Sequence, residues 1–324
     1  MNVRCDICPK ACLIAPGQSG DCRIRVNVDG TLRAVTYGFP SAVHIDPVEK
    51  KPLNHFLPGT TTFSLATVGC NLHCRNCQNW EISQCNPEDA TASPLPPHEI
   101  PAMARRLGCR SVSYTYTDPV VYYEYALDGC VAAREAGLRN VLVTAGYINE
   151  RPMRELYAHV DAANIDLKGM TEAFYRDVCG ATLKPVLNTL VGAKSMGVWV
   201  EVTNLLIPTL NDADADMQAL CRWVRENLGA ETPLHISRFY PQYRMQHLPP
   251  TPAESLVRAR DIGIAAGLKH VYIGNVLVAG GSDTRCAACG ATLVRRVGYR
   301  VEENRLTGRG VCPDCGAEVD GVWQ

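Results

Sequence analysis

Residues 70–77 read Cys70-Asn71-Leu72-His73-Cys74-Arg75-Asn76-Cys77, and they follow directly on Gly69 and a β-rich run, Thr62–Val68. Three thiolates at this C-x3-C-x2-C spacing can ligate three irons of a [4Fe–4S] cluster and leave the fourth iron open. An open iron can chelate a substrate or cofactor, as an open zinc position does in catalytic sites. A structural zinc site is the competing reading. A three-cysteine group at the end of a strand, beside a long βα core, is poorly suited to a closed site.

Outward from this motif, strand-like runs recur at Ser111–Tyr116, Asn140–Thr144, Ala163–Leu167, Val198–Leu206, Leu234–Phe239 and His270–Gly274. Helical stretches lie between them, among them Ile100–Leu107, Val120–Ala136, Met153–His159, Ala215–Leu228 and Ala253–Ala266, several ending at a glycine suited to C′. Strand–helix alternation at this spacing predicts βαβ units, a mainly parallel sheet and an α/β fold. Period two then fixes the strand faces. Ser113, Thr115 and Thr117 share a face, as do Asn164, Asp166 and Lys168, Glu201 and Thr203, and His235 and Ser237. A sheet covered by helices should be apolar on both faces. The repeated polar face therefore predicts a ligand cavity; a half-solvated antiparallel sheet gives the same alternation and is the alternative. Asn86–Pro97 is rich in proline and predicts a loop.

Sixteen of 324 residues are cysteine, and eleven fall into three groups. Beyond the central three, Cys5, Cys8, Cys12 and Cys22 form C-x2-C-x3-C-x9-C, a set fit for zinc or an auxiliary Fe–S cluster. Cys286, Cys289, Cys312 and Cys315 form two C-x2-C knuckles, each followed by glycine, which predicts a zinc-ribbon-like site. The scattered Cys85, Cys109, Cys130, Cys179 and Cys221 read as small buried hydrophobes. The chain divides into residues 1–59 (four-cysteine module and lead-in), 60–282 (core) and 283–324 (ribbon-like module).

Composition is that of a soluble globular chain: 46% hydrophobic, 20% charged, formal net charge −1. That balance argues against bulk electrostatic capture of nucleic acid or an anionic membrane. In the terminal module Arg295, Arg296, Arg300, Arg305 and Arg309 are offset by Glu302, Glu303, Asp314, Glu318 and Asp320, so a solvated face is the default reading there. Met1–Asp6 offers no apolar segment of a signal peptide and no run of about 18 apolar residues occurs. The expectation is a cytoplasmic chain without a membrane span.

C-x3-C-x2-C after a first strand is the signature of radical S-adenosylmethionine (SAM) enzymes, and the resemblance is wide. The chain resembles the radical SAM enzyme of the AmmeMemoRadiSam system, a relative of the pyruvate formate-lyase activating enzymes. The resemblance is carried by residues 46–59, by 69–83 with Cys77-Gln78-Asn79-Trp80, and by 114–119, 164–168, 235–241 and 271–275. Two positions depart from the family pattern: Asn76 stands where an aromatic residue usually meets the SAM adenine, and Asp118 stands where glutamate usually precedes proline. The resemblance implies a partial (β/α)6 barrel with cluster and SAM at the C-terminal strand ends, where barrel active sites lie. It implies SAM contacts at Asn76, Thr117, Asp118, Asp166 and Lys168; the polar face adds Glu201 and His235.

The reaction implied is reductive cleavage of SAM by an electron from a low-potential cluster, supplied by an external donor. The products are methionine and a 5′-deoxyadenosyl radical that abstracts hydrogen from a small-molecule or protein substrate. A glycyl-radical-enzyme activase is the alternative within that class. AMMECR-type and Memo-type proteins are the partners the resemblance implies. The alternative from another class is a metal-stabilised adaptor for nucleic acid or protein, with all eleven clustered cysteines structural.

Overall fold

The computed structural model describes residues 1–308 and 310–324; Arg309, one of the terminal module's basic residues, lies outside the described residues. Two short antiparallel pairs open the chain, β1 (Val3–Arg4) with β2 (Leu13–Ile14) and β3 (Arg25–Val28) with β4 (Thr31–Ala34). The main sheet follows: β5 (Ala42–Pro47), β6 (Thr61–Ala66), β7 (Ser111–Tyr114), β8 (Arg139–Thr144), β9 (Ala162–Asp166), β10 (Trp199–Leu206), β11 (Leu234–Arg238) and β12 (Val271–Gly274). They lie side by side in chain order, parallel from β6 to β12, with β5 antiparallel on the β6 edge.

The helices of the crossovers are α1 (Trp80–Ser83), α2 (Ile100–Arg106), α3 (Tyr123–Glu135), α4 (Glu150–Tyr157), α5 (Glu172–Phe174), α6 (Leu183–Ser195), α7 (Asp214–Leu228) and α8 (Ala253–Ala265). Six strands, β6 to β11, are thus each followed by helix, and β12 adds a seventh parallel strand with none after it. The sheet stays open, since β12 and β5 are its two edges. Parallel order rules out the half-solvated antiparallel sheet. The outer faces, Val112, Leu142, Ile165, Val202 and Ile236 among them, pack under the helices in the main core. Helix α6 and strands β3 to β5 stand outside the periodic signals of the sequence.

The inner face is divided by height. Its lower half is filled by residues 48–57, where Val48, Leu53, Phe56 and Leu57 form a second core with Val141 and Ala162. Polar strand residues at this level bind the segment's backbone: Asn164 Nδ2 donates to Pro52 O at 2.8 Å, and Glu201 accepts from the Asn54 and His55 amides at 2.9 and 2.8 Å. The upper half stays open as a cavity.

After the barrel, β13 (Thr284–Arg285), β14 (Thr292–Val297) and β15 (Arg300–Asn304) form a small antiparallel sheet over Leu293, Val294 and Val319. It docks on the lead-in segment: the Val322 amide donates to His55 O and the Leu57 amide to Val322 O, both at 2.7 Å. No helix among the described residues is long and apolar enough to cross a membrane.

Candidate active site

The loop after β6 turns at Gly69, whose φ is +90°. A Cβ there would lie 2.6 Å from the Cys22 carbonyl oxygen and 2.7 Å from Ile24 Cγ2, so only glycine allows this close approach. The loop is clamped from two sides. On one, the His73 and Arg75 amides donate to Cys179 O and Val178 O, both at 2.9 Å. On the other, His73 pairs with Asp21 at 2.9 Å and with Gln84 at 3.0 Å. A loop held at both flanks positions its three cysteines without help from a ligand.

Cys70, Cys74 and Cys77 all face a cavity of about 450 Å³ at the C-terminal ends of the strands. Burial, with the Asp118 carboxylate, pushes the Cys70 thiol well above its ordinary range. Cys74 is lowered, first by a hydrogen bond with the buried Cys179 and further by the Lys168 ammonium. Cys77 Sγ lies 3.2 Å from Ser83 Oγ. The three sulfurs are spread more widely than the ligands of one ion. Among the described residues, only Cys286, Cys289, Cys312 and Cys315 gather three or more such ligand atoms within 4.8 Å of one another.

The opposite wall is polar. Asp166 and Lys168 line it as an ion pair at 2.6 Å, with side chains 31% and 21% exposed. Burial works against the Lys168 charge, but Asp166 and the thiols of Cys74 and Cys179 raise it well above the usual lysine range. Thr117 lines the cavity and donates to Thr67 O at 2.8 Å. Asp118 lines it too, its carboxylate held by Thr144 Oγ1, the Ala145 amide and the Val120 amide at 2.9, 2.9 and 3.1 Å. His235 completes the wall, stacked on Tyr272 and 2.6 Å from Glu201.

Two buried polar atoms on this wall, Asn76 Oδ1 and Thr203 Oγ1, have no hydrogen-bond partner among the described residues. An orphaned buried polar group costs about 1–3 kcal/mol, so both positions favour a polar ligand. The cavity therefore fits a ligand that is part charged and part hydroxylated, held beside three cysteines.

Of the site residues read from the sequence, Asn76, Thr117, Asp118, Asp166, Lys168, His235 and the three cysteines meet at this cavity. Glu201 lies one layer deeper. It is fully buried, its oxygens are taken by two backbone amides, Trp199 Nε1 and His235, and that hydrogen-bonding lowers it to about 2 against the cost of burial. Sequence reasoning missed Lys51, Gln78 and Asn79 on the wall, and Cys179 behind it. Residues 50, 51, 78 and 79 fall within family-like strings, which was their only signal; Cys179 carried none.

The terminal quartet is compact. Cys286 Sγ to Cys315 Sγ is 3.7 Å and Cys289 Sγ to Cys312 Sγ is 3.8 Å. Its two knuckles repeat one pattern, with Gly290 and Gly316 amides donating to Cys286 O and Cys312 O at 2.9 Å each. Of the module's arginines, Arg296 is buried, while Arg295, Arg300 and Arg305 each pair with an acid of the same module.

A family model described as the Radical SAM superfamily matches residues 64–223. An uncharacterised protein of Methanocaldococcus jannaschii is 49% identical over 324 residues, covering 99% of this chain and 96% of that one. Pyruvate formate-lyase-activating enzyme of Clostridium pasteurianum is 23% identical over 169 residues, covering 50% of this chain and 69% of its own length. In fold, the chain is similar to a radical SAM methyltransferase from Sphaerobacter thermophilus, with TM-score 0.52, 17% identity, and coverage of 72% of this chain and 70% of that one.

Proposed function

We propose, for a chain that belongs to the radical SAM superfamily, that Cys70, Cys74 and Cys77 hold the [4Fe–4S] cluster and that SAM binds in the cavity they face. The observation that carries this is the convergence of three cysteines free of disulfides and a polar strand-end wall with two orphaned polar atoms on one cavity. When bound, the cluster and SAM supply one-electron cleavage of the sulfonium to methionine and a 5′-deoxyadenosyl radical, given an external low-potential donor.

The chain's own residues orient the cofactor. Asp166 and Lys168 present opposite charges to a zwitterionic amino acid and a ribose, for which charge-assisted hydrogen bonds are the strong ones. Asn76, with its free Oδ1, faces the adenine side in place of an aromatic ring. Asp118, already holding three protein donors, shapes the wall rather than binding through its carboxylate.

The substrate site in this proposal is a second cavity of about 1080 Å³ that shares Gln78, His235, Asn275 and Tyr299 with the first. Its far wall includes Arg295–Tyr299 of the terminal module, so that module bounds the substrate. The spacing of the terminal quartet supports zinc there, since four thiolates at about 2.3 Å from one tetrahedral ion stand about 3.8 Å apart. The likeness to an activating enzyme supports a second reading, in which the hydrogen comes from a glycine of a partner protein. A cytoplasmic setting, membership of an AmmeMemoRadiSam-type system and AMMECR-type or Memo-type partners belong to the proposal through the sequence resemblance.

Electron paramagnetic resonance tests the core of it. The reduced protein should give a cluster signal that SAM perturbs, and Cys74→Ala should abolish that perturbation. A wild-type signal indifferent to SAM would refute binding at the open iron.

A further inference from the structure

The N-terminal cysteines Cys5, Cys8, Cys12 and Cys22 converge on one small space against the loop after β6, together with Lys10, Arg25 and Asn71. Pairing of β1 with β2, and hydrogen bonds donated by the Cys5 amide to Cys12 O at 2.9 Å and by the Ala11 amide to Cys8 O at 3.1 Å, fold the C-x2-C-x3-C run into a tight loop. None of the four is disulfide-bonded.

The terminal quartet provides an internal gauge. Its sulfurs have contracted to the spacing of one tetrahedral ion. The N-terminal four converge without contracting, as the Cys70 group does: no three of them lie within 4.8 Å of one another. Thiolates bound one to each iron of a cubane stand farther apart than four on a single ion. The protein also directs donors at these sulfurs. The Ile7, Lys10 and Ile24 amides lie near Cys5, Cys8 and Cys22, and the Asp21 amide donates to Cys12 Sγ at 3.5 Å. Arg25, 3% exposed and held by Glu124 at 2.8 and 2.6 Å, adds a buried positive charge. Hydrogen bonds to sulfur and nearby charge are the means by which a protein sets a cluster's potential.

We infer that Cys5, Cys8, Cys12 and Cys22 bind a second, fully thiolate-ligated [4Fe–4S] cluster, and that Asn71 couples it to the cysteine loop after β6. Asn71 is 1% exposed, its Nδ2 lies by Cys8 while donating to Tyr147 O at 2.8 Å, and its Oδ1 is buried without a partner among the described residues. Its chain neighbour is Cys70, and Gly69, one residue earlier, packs against Cys22 O. The second cluster is thus placed to take one electron from a reduced ferredoxin- or flavodoxin-class protein and pass one electron to the centre at Cys70. No bond forms or breaks at the cysteines. This relay role rests on the function proposed above; the existence of the site does not.

The test removes the first centre. A Cys70→Ala/Cys74→Ala/Cys77→Ala variant, purified without oxygen and reconstituted with iron and sulfide, should hold about four irons and four sulfides per chain. On reduction it should give a resonance signal that SAM leaves unchanged. About one zinc should stay at the terminal site and serve, with circular dichroism, as the check of folding. An extra zinc with no sulfide, or no metal beyond the terminal zinc, would overturn the cluster. Adding Cys8→Ala and Cys12→Ala should remove the iron, and iron retained after that change would overturn the assignment to these cysteines. In the otherwise native chain Asn71→Leu should keep the iron count but shift the midpoint potential of the SAM-insensitive signal. An unchanged potential would overturn the coupling through Asn71.

Discussion

Lys168 sits where the wall of the cavity meets the cysteine loop after β6, and two neighbours set its character. Asp166 holds its ammonium at 2.6 Å, and its positive charge in turn favours thiolate at Cys74. Because both side chains also line the cavity, losing either should weaken SAM as well as the pair. Asp166→Asn and Lys168→Met are each expected to cost about 1.5–3 kcal/mol of SAM binding, roughly 10- to 150-fold. Calorimetric titration checks this; a partly exposed pair with no ligand role would cost under about 1 kcal/mol of stability and leave affinity unchanged. Leu167→Ala is the control, since Leu167 is fully buried on the opposite face. It should cost about 2–5 kcal/mol of folding stability with little direct effect on SAM. The facing of these residues was legible because strand side chains alternate with period two. Height along the strand was not. Glu201 shares the face of Thr203, which pairs in register with Asp166, but it stands two residues lower, where the lead-in segment claims it. Period two cannot separate a cavity wall from a packed floor.

The seven parallel strands were each visible as a β-rich run, their ends displaced by one or two residues where the chain leaves the ladder to form the site. Tyr116, for example, ends its run in the left-handed region at φ 64°. The lead-in element was not visible, because its order comes from contacts with residues more than eighty positions away. Residues 48–57 lack strand or helix period and form the barrel floor only against β8, β9, β10 and the terminal module. This floor carries a pH dependence. His55 is pushed down to about 3 by burial and by His270, whose ring is 4.3 Å away, and burial pushes His270 down to about 4. Below pH 6.5 the unfolded chain takes up these protons and the folded one does not. Stability is therefore full above pH 6.5 and falls as the pH drops toward 4, by on the order of 3 kcal/mol for each ring that stays neutral. Urea melts at pH 7 and pH 4.5 measure it. His270→Leu should flatten the difference; an equal pH slope in both proteins would show that the floor histidines are not its source.

At the scale of the whole molecule, three cysteine groups flank one barrel and each is tied to it differently. The terminal module is held by Arg296, which donates to Asn54 O at 2.7 Å and pairs with Glu49 at 3.5 Å, both side chains about 1% exposed. Removing one partner of such a buried pair costs about 3–5 kcal/mol. Arg296→Met should therefore loosen the module, read as a lower melting temperature and faster proteolysis after residue 282, and Glu49→Gln added to it should restore part of the loss. The terminal quartet was legible from its spacing as a set of four converging thiols, and the structure gathers it with sulfurs 3.7 and 3.8 Å apart. The second cavity was not legible at all, since it is assembled from the barrel rim and the terminal hairpin, segments far apart in the chain. The central claim concerns the three cysteines of the loop after β6, and one measurement addresses it most directly. Protein reconstituted without oxygen, given SAM and dithionite, is assayed by mass spectrometry for 5′-deoxyadenosine and methionine. The expected result is release of both by the wild type and release at background level from the Cys70→Ala/Cys74→Ala/Cys77→Ala variant; release from that variant at the wild-type rate would contradict the account.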